Sequence, residues 1–298
     1  MRLMPSAQRK KRTPNLCGSK RAGSGSGIGW CVMLGYHNGS RKSSLSSYWG
    51  HNSPVWSLSW VDYPDGGREV GAVRVYPGRV VSRQVRSRTG KYRERGARRA
   101  RREVVRRARY YGLRYMWTFT FPGEGVHDYV RAAGLFAEWM RKHGERWFRG
   151  DYLTVMEWHP GGHGWHVHVL SSRRPPLVWL VRMRMSWTLF LKRRGMAPSG
   201  GARVVRVHVK DWGTGYAAGR YAGKYVAKDF ERVPVGHRRF RCGYGVRPVE
   251  RQRCVIGGAI QEVLRQVVSW GRVVWIWMSS SEDGWSGPPA LAAEVRLG

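Results

Sequence analysis

From Tyr115 onward the hydrophobic pattern changes period element by element, and this alternation limits the fold more than any other feature of the chain. Tyr115 to Phe121 sets Trp117, Phe119 and Phe121 against Thr118 and Thr120, the period-two pattern of a strand. Gly123 to about His143 carries Val126, Val130, Ala133, Ala137 and Met140 at helical spacing. Tyr152–Glu157 and Trp165–Leu170 read as strands joined by a turn at Pro160, Gly161 and Gly162. Pro175 and Pro176 open a helix through Leu177, Val181, Met185 and Leu189 that ends at Gly195. Val204–Val209 alternates as a further strand, and a last helix runs from about Thr214 to Phe230.

The order β-α-β-β-α-β-α predicts an α+β fold. Its first six elements make a ferredoxin-like split βαβ arrangement, an antiparallel sheet with helices on one face and the other face available for a site. The flanks read differently. Residues 1–50 hold RKKR, GSGSG and SSLSS stretches without periodicity and predict a flexible basic arm. Residues 51–113 form a basic N-terminal region, 114–235 the predicted catalytic domain, and 236–298 a C-terminal extension. Within the second region, residues 79–109 carry a net charge of +12. A run like this is either a solvated helix face or a phosphate-binding surface, with Arg98, Arg99, Arg101, Arg102, Arg106 and Arg107 as the candidate contacts.

Charge sets the class of partner. The 298 residues include 54 Lys and Arg against 19 Asp and Glu, a formal charge of +35. Such a field binds polyanions, because each neutralised phosphate releases condensed counterions. Nucleic acid is therefore the expected partner. No apolar run reaches the 18 residues of a membrane span, and the longest, Val273–Met278, is strand-sized. The N-terminus is basic without an apolar signal core, so a cytoplasmic protein is expected. The four cysteines form no CxxC pair and predict reduced thiols.

Two constellations carry chemistry. His166 and His168 are two apart on a predicted strand and face one side. Glu157, on the preceding strand, joins them if the hairpin pairs it near His166. Two imidazoles and a carboxylate with open positions suit Mg²⁺ or Mn²⁺ holding a phosphate, with zinc as the other ion. His159 and His163 flank the glycine turn and read as loop residues. The second constellation is the last helix, GYAAGRYAGKYVAKDF, where Tyr221 and Tyr225 share a face and each precedes a lysine, Lys224 or Lys228, by three. In a chain of 44 Arg and 10 Lys, that placement of lysines is selective. Ala217, Ala218, Ala222 and Gly223 keep the helix thin, as if something approaches it closely. A tyrosine nucleophile needs such help, since its ordinary pKa near 10 leaves it protonated. Asp229 reads as a solvated carboxylate.

These residues resemble the HUH endonucleases, the rolling-circle replication initiators of single-stranded DNA phages and plasmids. The resemblance rests on MWTFTFP at Met116–Pro122, on Glu157 followed by GWHVHVL, and on YAGKYVAKD, the family's YxxK doubled. It spans about residues 114–230, and the two tyrosines resemble the phage branch. It implies a metal held by Glu157, His166 and His168, attack by Tyr225 or Tyr221 on a scissile phosphate, and Lys224 and Lys228 neutralising that phosphate. The products are a 5′-phosphotyrosine and a 3′-hydroxyl primer. The implied partners are single-stranded DNA at an origin and a host polymerase. A host helicase is implied too, because no GxxxxGK[ST] loop occurs in the chain. A transposase of the same chemistry and a non-catalytic basic nucleic-acid-binding protein are the alternative readings.

Overall fold

A β4 strand of Tyr115–Phe119 is buried at every residue, so both faces of its sheet are covered. This computed structural model describes residues 32–33, 54–76, 90–174, 176–196, 206–280, 284–285 and 287–298. Nearly all of the predicted flexible arm, residues 79–89 of the basic run, Pro175 and Val204 lie outside the described residues.

The chain is α+β, with two antiparallel sheets. The first sheet runs β7 (Val207–Asp211), β4, β6 (Trp165–Ser171), β5 (Tyr152–Trp158), β8 (Phe240–Cys242). The other runs β1 (Val32–Met33), β9 (Gln252–Gly257), β2 (Val55–Asp62), β3 (Gly67–Val75), β11 (Ala290–Leu297), β10 (Gly271–Met278). The helices are α1 (Gly90–Tyr110), α2 (Tyr129–Trp139), α3 (Glu145–Phe148), α4 (Leu177–Lys192), α5 (Gly215–Lys228) and α6 (Ile260–Ser269), and a π-helical turn at Met140–Gly144 joins α2 to α3. Among the described residues no helix is long and apolar enough to cross a membrane.

On the first sheet, alternation sorts the side chains. Trp117, Phe119, Val167 and Val169 pack with Phe136 and Trp139 of α2 and with Met183 and Trp187 of α4. Met116, Leu153, Val155 and Leu170 point the other way, onto Val104 and Ala108 of α1 and Ala218, Ala222 and Val226 of α5. The face expected to be open is thus closed over much of its area by α1 and α5. The small residues of α5 explain how. A Cβ at Gly215 would lie 2.1 Å from the Ala108 carbonyl oxygen, and one at Gly219 would lie 2.8 Å from the Ala108 Cβ. What approaches the thin helix is α1.

Helix faces differ from the periodicity reading. In α4 the expected core stripe is the exposed one: Leu177, Val181, Met185 and Leu189 are each more than half exposed, and Met183, Trp187, Phe190 and Leu191 are buried. The helix is apolar on both sides, and burying the larger rings removes more surface from water. Likewise α2 starts at Tyr129, where the Asp128 carboxylate accepts from Arg131 N–H at 2.6 Å, and it buries Tyr129, Ala132, Phe136 and Trp139 while Val130 faces out.

The flanks are not separate regions. The β2–β3 hairpin has an apolar face of Trp56, Leu58, Trp60, Val70 and Ala72, too large for two strands to cover alone. Cys254 and Ile256, Val263 and Val267 of α6, and Leu291, Ala293 and Val295 complete that core from the other end of the chain. Strands of residues 55–75 and of 252–297, expected in two separate regions, thus share one interleaved sheet, whereas β8 belongs to the first sheet and α1 packs on it. The interleaved sheet is joined to α1 by Arg106 paired with Glu69 and by Arg109 paired with Asp65 and Glu294.

Candidate active site

Register builds the site. Glu157 stands directly opposite His166 across the β5–β6 hairpin. On β4, Thr118 pairs with His168 on one side and with His208 of β7 on the other. The aromatic alternation turns Thr118, Glu157, His166 and His168 to the face that α5 crosses. The hairpin turn fits only because Gly164 has no side chain: its φ is +72°, and a Cβ there would lie 2.5 Å from the Val126 carbonyl oxygen.

His168 is buried and both its nitrogens are engaged. Nε2 lies 2.5 Å from Glu157 Oε2, and Nδ1 lies 3.0 Å from the Thr118 hydroxyl. With the carboxylate accepting, Nε2–H is the donor to Glu157, and the Thr118 hydroxyl can either donate to or accept from Nδ1. Thr118 thereby orients the ring. Sequence reasoning passed over this residue, although the alternation that pointed Trp117 and Phe119 inward put Thr118 on the site's face.

His166 is tilted over His159 at 4.6 Å between centroids, and His159 stacks on His163 at 4.8 Å. Burial, then the His159 and His168 rings, push the His166 pKa down to about 4. Its imidazole is neutral at physiological pH, the form that binds metals. His159 and His163 do sit in the loop, but the rings from His163 to His166 form one row.

Helix α5 brings the tyrosines to this set. The Thr214 hydroxyl caps it by accepting from Ala217 N–H at 3.1 Å. The Tyr225 ring stacks on His168 with centroids 5.2 Å apart and planes 19° apart. Tyr221 meets Tyr225 edge-on at 5.1 Å, and Trp212 lies 4.3 Å beyond it, with the Lys210 ammonium 4.0 Å over the Trp212 ring. Burial, then hydrogen bonding to Tyr221 and the charge and hydrogen bond of Glu157, hold the Tyr225 hydroxyl well above the usual phenol range. Lys224 and Lys228 are exposed, and Lys224 lies 5.8 Å over the Tyr221 ring.

Asp229 corrects an expectation. It is 7% exposed, not solvated, and its carboxylate accepts from Trp158 N–H at 3.2 Å. Burial raises its pKa, with Glu157 adding to the effect. It fastens the end of α5 to the residue after Glu157.

The arginines of α1 divide. Arg98, Arg99, Arg101 and Arg102 are exposed. Arg106 is 8% exposed and paired inward with Glu69, so it faces no phosphate. Arg107 is half-buried, 3.4 Å from Glu103 and over the Phe240 ring. The helix has an outer basic row and an inner structural one.

The donor chemistry of Glu157, His166 and His168 fits a divalent cation, and all three share a face. As they stand, Glu157 and His168 bond to each other, and among the described residues no three His, Cys, Asp or Glu side chains are grouped to hold a metal ion. Binding one would require His168 Nε2 to exchange its bond to Glu157 for the cation. Comparison with family models, curated proteins and solved structures finds no match to this chain.

Proposed function

We propose that this protein is an HUH-type endonuclease that nicks and rejoins single-stranded DNA to initiate rolling-circle replication. The observation that carries the reading is the stacking of Tyr225 on His168, itself bonded to Glu157, because it brings a tyrosine nucleophile against the expected ligand set. The strand order β7-β4-β6-β5, with α2 and α4 on one face, supports a ferredoxin-like core of the kind the resemblance implies.

Bound by Glu157, His166 and His168, Mg²⁺ or Mn²⁺ would polarise the scissile phosphate and offset its developing charge. The chain's residues do the rest. Thr118 holds the His168 ring, and Asp229 holds α5 against β5. The hydroxyl of Tyr225 attacks phosphorus; an O–P bond to tyrosine forms as the bond to the 3′ oxygen breaks, the phenol gives up its proton to solvent, and the departing oxygen takes one from solvent and leaves as a 3′-hydroxyl. Tyr221, in edge contact with Tyr225, is placed for the second transfer that releases a circle. Lys224, Lys228 and the outer row Arg98, Arg99, Arg101 and Arg102 neutralise phosphates along the strand. The partners of this reaction are origin DNA and a host helicase and polymerase, in the cytoplasm of the host.

The test is covalent capture. The protein incubated with single-stranded DNA and Mn²⁺ should yield a denaturation-resistant adduct. At least one of Tyr225→Phe and Tyr221→Phe should still form it, and the double variant should form none. Salt-dependent binding with no adduct under any metal would leave only a basic nucleic-acid-binding protein.

A further inference from the structure

Edge strand β7 carries a row of basic side chains that the reaction described above leaves unused. Val207 and Val209 pack against the aromatic core between the sheet, α2 and α4. Alternation therefore turns Arg206, His208 and Lys210 to the other face, the one that α5 crosses. Register agrees. His208 stands opposite Thr118, which stands opposite His168, and Lys210 stands opposite Met116, which packs with α1 and α5. The ladder reaches Arg206, whose carbonyl accepts from Thr120 N–H at 3.1 Å. All three side chains of the row are exposed, and among the described residues no ion pair joins Arg206 or Lys210 to an acid. The strand's one acid, Asp211, is engaged by Arg114 at 3.3 Å and by Gly213 N–H at 2.8 Å.

Lys210 ties this row to the tyrosines. Its ammonium lies 4.0 Å over the Trp212 ring, and the Tyr221 ring lies 4.3 Å from that of Trp212. Lys224 stands 5.8 Å over Tyr221 from α5. Cations gathered without acids on one face hold a positive field that an anion relieves. Successive members of the row are about 6.7 Å apart, two strand residues each, close to the separation of neighbouring phosphates along one extended strand of DNA. Burial, then the His168 ring and the Arg206 guanidinium, hold the His208 pKa below the ordinary imidazole value, so the row carries two charges and a neutral donor at physiological pH. We propose that β7 is the track along which the single-stranded DNA to be cut is held, with Arg206, His208 and Lys210 on three successive phosphates and the strand continuing from Lys210 to Tyr221. The identity of the strand rests on the nuclease reading; the contact itself needs neither metal nor cleavage.

The test is anisotropy titration of the full chain with a labelled thymidine oligonucleotide in excess chelator, repeated over a range of salt. Arg206→Gln combined with Lys210→Gln should lower the log–log salt slope by about 1.4, since each lost phosphate contact removes about 0.7 on a single strand. Arg182→Gln combined with Arg184→Gln removes the same charge from exposed positions of α4, which packs on the opposite face of the sheet, and should leave the slope unchanged. Arg206→Lys combined with Lys210→Arg keeps both charges and should keep the wild-type slope, which separates lost contacts from damage to β7. The track and the nuclease reading fail separately. A slope that depends on β7 in a protein forming no covalent adduct with Mn²⁺ keeps the track as a binding surface and removes the nuclease. An adduct formed by the wild type, with a slope that the β7 glutamines leave unchanged, overturns the track alone. Equal loss of slope in the β7 and α4 variants also overturns it, because binding would then follow total charge and not its place.

Discussion

Thr118 and Asp229 show how much of the site is decided one residue beyond the chemistry. Neither acts on a phosphate in the proposed reaction, yet one holds the His168 ring by Nδ1 and the other ties α5 to the backbone beside Glu157. Partners of this kind typically account for 10–100-fold in metal affinity or activity. Thr118→Val keeps the shape and loses the hydroxyl, so adduct formation should fall by about that factor, with a higher Mn²⁺ requirement and little change in thermal midpoint. Unchanged metal dependence would mean that packing alone orients His168. The HxH spacing and the glutamate were legible because a strand's period of two assigns faces without further information. The threonine's role was not, because a hydroxyl becomes a positioning group only when register sets an imidazole nitrogen 3.0 Å away.

At the scale of elements, the contact between α1 and α5 turns on three glycines that would be poor choices in an isolated helix. The two in its interior, Gly219 and Gly223, each cost roughly 1 kcal/mol relative to alanine. The two helices repay that cost differently along their length. At Gly219 a Cβ would meet the Ala108 Cβ at 2.8 Å and the Val105 Cα at 3.0 Å, atoms fixed to α1's backbone. At Gly223 the nearest atom is Arg101 Cγ at 3.1 Å, part of an exposed and flexible side chain. Gly219→Ala should therefore destabilise by about 1–3 kcal/mol through overpacking. Gly223→Ala should be neutral or stabilising by up to about 1 kcal/mol, as Arg101 swings aside and propensity prevails. Urea unfolding of the two variants side by side checks this; equal destabilisation by both would show that α1 sits tightly along its whole length. The thinness of α5 was readable in the sequence, and its reason was not. A stripe of small residues states that something comes near, and such a pattern carries no distance from which to choose between a helix and a ligand.

The whole molecule is held together by charge placed against its own surplus. Arg106 carries one of 54 basic side chains, but it is buried against Glu69, whose other partner is the Tyr63 hydroxyl at 2.8 Å. Burial alone would raise the Glu69 carboxyl; the Arg106 guanidinium and Tyr63 outweigh it and hold the pKa below the ordinary value. A carboxyl so lowered contributes stability that is full above the ordinary pKa of about 4.3 and is lost as pH falls through the lower folded value. Glu69→Gln leaves the buried guanidinium with only the longer contact to Glu103 at 3.7 Å and should cost up to about 3 kcal/mol at neutral pH, the low end for a broken buried pair because Glu69 keeps some contact with water. The variant should also lose less stability than the wild type between neutral pH and pH 3, as thermal midpoints across that range would show. An identical acid slope in both proteins would remove Glu69 from the account. The amino-acid sequence alone determined the alternation of periods, the α+β class, the faces of the strands and the common face of His166 and His168, because each follows from local geometry within a few residues; the hairpin register then set Glu157 opposite His166. Only the tertiary structure decided which side of α4 is buried, that residues 55–75 pair with 252–257 and 290–297, and that Arg106 turns inward while Arg98 and Arg102 turn out. Those outcomes depend on which distant surface removes the most apolar area from water and brings a carboxylate within reach, and no local pattern contains that information.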